Sequence, residues 1–67
     1  MILVTGSAGR VGRAVTAALR AKSQPVRGFD VKPSGTDGDV VGSLEDAASL
    51  TQAVEGVTDI LHLGAFM

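Results

Sequence analysis

Met1-Ile2-Leu3-Val4-Thr5-Gly6-Ser7-Ala8-Gly9-Arg10-Val11-Gly12 opens the chain. Met1 to Thr5 is a short apolar run with glycine directly behind it. That is the pattern of a strand buried on both faces and ending in a sharp turn. From Arg10 to Lys22 the period changes. Val11, Ala14, Val15, Ala18 and Leu19 recur at helical spacing and form one apolar stripe. Arg10, Arg13, Arg20 and Lys22 fall mostly off it, on the side expected to face solvent. Ser23-Gln24-Pro25 ends the helix, because proline cannot continue it.

Between strand and helix each glycine has a physical task. Gly6 lets the chain turn as it leaves the strand. Gly9 removes a side chain where a pyrophosphate must approach the backbone. Gly12 lets the helix pack closely on the sheet. The helix start then offers free N–H groups and the positive end of its dipole to an anion. Glycine fills nine of 67 positions, so the spacing alone also fits a turn that merely joins strand to helix. The loop lacks the Lys-Ser/Thr pair of a nucleoside-triphosphatase loop.

Working outward, Val26 to Asp30 reads as a second strand, followed by the turn-rich run Val31 to Gly38. Asp30 lies eighteen positions beyond Gly12. A carboxylate there accepts the hydroxyls of an adenosine ribose and repels a 2′-phosphate, so it favours NAD over NADP. The alternative is an Asp that only initiates the turn before Val31-Lys32-Pro33. Arg27 and Lys32 carry charge that would soften the discrimination, although Arg27 also reads as a residue pointing to solvent. Val40-Val41 marks a third strand. Ser43 reads as the N-cap of a second helix with Asp46 at the capping-box position, and Leu44, Ala47, Leu50 and Val54 share one face. Gly56 reads as the left-handed residue that stops it. Val57 to Leu63 is a fourth strand.

Strand, helix, strand, strand, helix, strand predicts an α/β fold: a partial Rossmann arrangement with a parallel sheet of order 3-2-1-4 and one helix on each face. The 67 residues read as the N-terminal portion of a dinucleotide-binding domain, since a full doubly wound domain needs more strands. Net charge is −1, which argues against nucleic acid or a membrane surface as partner, and no apolar run is long enough to span a membrane. A cytoplasmic protein is the simplest expectation. There is no cysteine and one histidine, His62, so neither a disulfide nor a metal cluster is expected.

Four segments, in order, resemble the extended short-chain dehydrogenase/reductases of the NAD-dependent epimerase/dehydratase family. Thr5 to Gly12 resembles that family's TGxxGxxG loop, and Phe29-Asp30 its acid after the second strand. Val40-Val41-Gly42-Ser43-Leu44-Glu45-Asp46 resembles its VVGDLTD segment. Leu61-His62-Leu63-Gly64-Ala65 resembles its HLAA segment. The likeness covers essentially the whole chain. It implies that Gly6, Gly9, Arg10 and Val11 face the pyrophosphate of NAD and Asp30 the ribose. It implies that Ser43 and Leu44 border the adenine, and that Leu63, Gly64 and Ala65 line the path to the nicotinamide ribose.

There are departures. Ser43 stands where the family usually has Asp, so it is a weaker acceptor, and its capping role is an alternative to any adenine contact. Gly64 replaces an alanine. The family's chemistry, as the resemblance implies it, uses a Tyr-x-x-x-Lys pair and a Ser or Thr after the fourth strand. This chain has no tyrosine, and its last lysine is Lys32. No catalytic residue is therefore assigned, and the chain alone should be inactive. The expected role is the NAD-binding segment of an oxidoreductase or epimerase that acts on a sugar-like or other secondary alcohol. The alternatives are a stand-alone, non-catalytic dinucleotide-binding module and a self-associating piece of fold. For the last, Ile60, Leu61 and Leu63 would leave an apolar open edge suited to homo-oligomerisation.

Overall fold

The computed structural model describes residues 1–33 and 38–63. The elements are β1 (Ile2–Thr5), α1 (Arg10–Ala21), β2 (Val26–Asp30), β3 (Val40–Val41), α2 (Ala47–Val54) and β4 (Asp59–His62). The strands form one parallel sheet in the order β3-β2-β1-β4, as the alternation predicts. β1 is central, with Thr5 opposite Phe29 on one side and His62 on the other.

Successive residues of a strand look to opposite faces. Leu3 and Phe29 share one face with Val40 and are buried there under Ala53 of α2, with Leu50 and Val57 packed at the margin. Burying Phe29 and Leu3 contributes about 1.5–3 kcal/mol each. Val4 and Gly28 look the other way, and α1 lies against β1 and β2.

Four expectations need correction. First, the apolar stripe of α1 does not face the core as a whole. Gly12 and Thr16 are buried and Val15 and Leu19 half-buried, whereas Val11, at 62% exposure, Ala14 and Ala18 are open to solvent. Small residues let α1 settle onto the loop and sheet, and that contact turns the stripe sideways. Second, α2 begins later than expected. Its N-cap is Asp46, whose Oδ1 accepts from Ala48 N at 3.2 Å. The Ser49 hydroxyl donates to Asp46 Oδ2 at 2.7 Å and holds that carboxyl below its ordinary range. Ser43 sits a turn earlier, where its Oγ accepts from Glu45 N at 3.1 Å. Leu44, Ala47 and Val54 are exposed, and Leu50 with Ala53 makes the inner face. Third, β4 is shorter than Val57 to Leu63 and is exposed along its whole length.

The fourth concerns charges read as solvent-facing. Arg27 lies on the α2 face, where its Nη1 donates to Ala53 O and Glu55 O at 2.7 Å each. α2 has no basic residue in its own last turn, so β2 supplies the cation that satisfies its terminal carbonyls. A partly buried contact of this kind contributes about 1–2 kcal/mol. Arg20 pairs with Asp39 at 3.1 Å. α1 ends at Ala21, just before the Ser23-Gln24-Pro25 stop that the sequence predicts. Ser23 adopts φ 60°, with Ser23 N donating to Arg20 O and Gln24 N to Leu19 O, so a non-glycine residue takes the left-handed position.

Candidate functional site

The loop between β1 and α1 is held from below by β2. Gly6, at φ 73°, makes the turn that the sequence assigns to it, and its N–H continues the sheet by donating to Phe29 O at 2.8 Å. Ser7 is buried at 2% exposure. Ala8 N donates to Asp30 Oδ2 at 3.0 Å, while Ala8 O accepts from Arg13 Nε at 2.9 Å. The peptide between Gly6 and Gly9 is thus gripped from both β2 and α1. Gly9 N closes the turn on Gly6 O at 3.2 Å, and Gly9 O starts α1 by accepting from Arg13 N at 2.9 Å.

The three glycines of the loop differ in what constrains them. A β-carbon on Gly12 would stand 2.0 Å from Gly6 O and 2.8 Å from Gly6 C and Ser7 Cα. Helix and loop touch there backbone to backbone. Gly9 is the opposite case. Its φ of −76° and ψ of 172° suit any residue, and a β-carbon there would meet only Gly6 O, at an ordinary 3.4 Å. Neither the backbone nor packing among the described residues requires glycine at position 9. Gly9 is the N-cap of α1, no side chain caps the helix, and its first turn holds no acidic residue. The start of α1, with exposed Arg10 and Val11, is therefore an uncapped positive dipole end beside a bare backbone surface.

Asp30 ends β2 beside this surface. Its Oδ2 takes the Ala8 N–H and its Oδ1 takes the Lys32 N–H at 3.1 Å. The carboxylate is fixed in direction by two backbone donors, and each oxygen keeps lone-pair capacity for a further donor. Arg27, on the other face, does not join it. Ser43 and Leu44 follow β3 and lie on the same C-terminal edge of the sheet. Ser43 Oγ already accepts one N–H, so the hydroxyl enters any contact with one lone pair occupied.

At the other side of β1, His62 Nδ1 lies 2.6 Å from Thr5 Oγ1, and Leu63 N donates to both Thr5 O and Thr5 Oγ1 at 3.1 Å. His62 is thus engaged in fixing the exit of β4 next to the Gly6 turn. Leu63 stands at that exit; Gly64 and Ala65 lie outside the described residues. Among the described residues no group of three or more His, Cys, Asp or Glu could hold a metal ion. No helix among them is long and apolar enough to cross a membrane.

Reading by motif missed Ser7, Gly28, Asp39 and Arg20. The available signal was Gly28 itself, since a glycine inside a strand pattern marks a close backbone approach.

Comparison with known proteins bears on the fold and the family. A short-chain dehydrogenase/reductase superfamily protein from Agrobacterium tumefaciens, crystallised with NAD, is 69% identical and superposes with a TM-score of 0.93. It is covered over 21% of its length by 100% of this chain. Uronate dehydrogenase from the same organism, solved with NAD as a point mutant, is 33% identical at a TM-score of 0.83, with 98% of this chain covering 26% of it. Sterol demethylase protein B of Methylococcus capsulatus is 38% identical over 97% of this chain and 22% of its own length. The chain thus spans about a fifth to a quarter of the length of these relatives. The model of the NAD dependent epimerase/dehydratase family matches residues 2–67, and the chain belongs to that family.

Proposed function

We propose that the chain forms the adenosine-diphosphate half of an NAD site, and that in the protein as a whole this site serves an oxidoreductase or epimerase acting on a sugar-like or other secondary alcohol. The observation that carries the reading is Gly9. A glycine that neither its dihedral angles nor the described residues around it require, at the uncapped start of a helix, leaves room for a ligand. A pyrophosphate matches it in charge, in its demand for backbone donors and in its distance from a ribose-binding acid. In this reading Gly6, Gly9, Arg10, Val11 and Gly12 shape the pyrophosphate cradle. Asp30 accepts from the adenosine ribose, Ser43 and Leu44 border the adenine, and Leu63, Gly64 and Ala65 face the nicotinamide ribose. NAD, when bound, supplies a hydride acceptor. The chain's own part is to hold and orient: loop amides bind the phosphates, and the Asp30 carboxylate selects the unphosphorylated ribose.

The reading of the chain as the first part of a dinucleotide-binding domain draws support from the relatives that it covers only in part, two of them solved with NAD. Uronate dehydrogenase is by its name a sugar-acid dehydrogenase, which supports the substrate class. The open β4 supports a second reading, in which copies of the chain associate through that edge.

Titration of the 67-residue chain with NAD, NADP and ADP, followed by amide NMR, tests the first reading. The expected result is movement at Gly6 to Gly12 and at Asp30, with ADP nearly as effective as NAD and NADP weakest. NAD binding far more tightly than ADP would contradict the half-site, and a folded chain showing no shifts would remove the site.

A further inference from the structure

The cofactor loop rests on a notch in β2. A β-carbon on Gly28 would lie 2.5 Å from Ser7 Oγ, 2.7 Å from Ser7 Cβ and 2.6 Å from Asp39 Oδ2. The space that Gly28 leaves empty is thus shared by a buried serine of the loop and a carboxylate that precedes β3. The Asp39 side chain is 7% exposed, and its Oδ1 is held by donors from β2 and α1. Gly28 N donates to its Oδ1 at 2.7 Å, and Arg20 Nη2, from α1, to the same oxygen at 3.1 Å.

The first of these bonds follows from the shortness of β3. Phe29 pairs with Val40 and Asp30 with Val41, and among the described residues no further pairing of β2 with β3 is present. Gly28 falls opposite Asp39 in that register, where the ladder has stopped. The Asp39 side chain supplies the acceptor that the next strand residue would have offered. Arg20 compensates the charge, so burial does not leave it alone. From this anchored position the other carboxylate oxygen borders, with Ser7, the point that a Gly28 β-carbon would occupy.

We propose that Asp39 is a positioning residue for the nucleotide: held by Gly28 and Arg20, it walls the notch that seats Ser7 and so sets the height of the loop amides above β2. The inference rests on the NAD-site reading for its functional consequence but not for its geometry. Ser7 is followed directly by Ala8, whose N–H reaches Asp30, and by Gly9, where the ligand would approach. A shift of Ser7 therefore moves both contacts together.

The test compares ADP and NAD affinity and nucleotide-free amide spectra across a few variants of the chain. Asp39→Ala is expected to weaken ADP and NAD alike by about tenfold, because binding groups displaced by a fraction of an ångström lose their alignment. Asp39→Asn keeps an oxygen for the Gly28 N–H and recovers most of that loss. Arg27→Met is the control for stability alone. It lowers the melting temperature through α2 and leaves affinity within about twofold, since it touches no part of the loop. A folded Asp39→Ala chain that binds ADP within about twofold of the parent overturns the proposal. If Asp39→Ala does not fold, Ser7→Val decides, because it overfills the notch while leaving the bonds of Asp39 in place. The same loss is expected, and unchanged affinity is again fatal. If the parent chain binds neither nucleotide, the NAD-site reading fails separately. The spectra then decide the positioning claim: Asp39→Ala must move the Ser7, Ala8 and Gly9 amides more than Arg27→Met does, and amides left in place refute it.

Discussion

Gly12→Ala is expected to abolish cooperative folding of the chain. The added carbon would stand 2.0 Å from Gly6 O, with Gly6 C and Ser7 Cα at 2.8 Å. All three are backbone atoms, so no side-chain rotation relieves the overlap. α1 must lift from the turn, and doing so withdraws it from β1 and β2 together. Overpacking on this scale costs about 3 kcal/mol or more. A chain of this size buries only about 60% of its unfolded surface and has little stability in reserve. Thermal unfolding followed by circular dichroism provides the measurement. The expected trace is broad and non-cooperative, with loss of amide dispersion in the NMR spectrum. A melting temperature within a few degrees of the parent would show that helix and loop can separate without cost, contrary to the contact described.

Gly9→Ala is expected to do the reverse, sparing the fold and removing the ligand. The dihedral angles at Gly9 are open to alanine, and its methyl group would meet Gly6 O at an ordinary distance. Two local effects oppose each other. The unfolded chain loses freedom, worth about 0.4–1 kcal/mol, while alanine is a poorer N-cap than glycine by a comparable amount, so stability is expected to stay within about 1 kcal/mol of the parent. The same methyl occupies the bare backbone on which the proposed pyrophosphate would rest. Losing one charge-assisted hydrogen bond costs about 1.5–3 kcal/mol, which is roughly tenfold to a hundredfold in affinity. The check is to measure the melting temperature and the ADP dissociation constant on one sample. Unchanged ADP affinity would dismiss position 9 as the point of phosphate approach. The two substitutions are chemically identical and lie three residues apart. Opposite outcomes would separate the glycine kept for architecture from the glycine kept for a ligand.

The loop and the sheet order could be read from sequence because both depend on local signals. An apolar run, a cluster of glycines and a change of period each occupy consecutive residues, and parallel crossovers have one favoured hand. The α2 start was less legible. Ser43 and Asp46 are both good caps, and the choice between them turns on how Ser43 spends its oxygen, on the Glu45 N–H of its own turn. The α1 stripe misled for another reason. Five apolar residues at helical spacing define a direction but not the depth of contact, and depth is set by Gly12 and Thr16, which carry little apolar signal. Arg20 and Arg27 were the hardest to place. Their partners, Asp39 and the carbonyls of α2, lie far away in the chain, beyond the reach of any periodicity. Of the candidate site, the place of Asp30 at the end of β2 was legible, but its bond to Ala8 was not. The notch of Gly28 required knowing which elements meet.

The position of β1 between β2 and β4 has a consequence for how the molecule breathes. On one side, the β1·β2 ladder joins strands linked by a single helix and lies beneath α1 and α2. On the other, the Thr5–His62 contact closes 57 residues of chain, and β4 is exposed throughout. Closing so long a span carries a larger entropic cost, and among the described residues no layer covers β4 to offset it. The β1·β4 ladder is therefore expected to open first, with its amides exchanging hydrogen faster than those of β1·β2; equal rates would show that the sheet opens as one unit. The turn over β2, with Ser7, Ala8 and Asp30 in place, outlasts that opening. In this 67-residue chain the side of the sheet that would grip adenosine is thus expected to stay assembled while the side beside His62 opens.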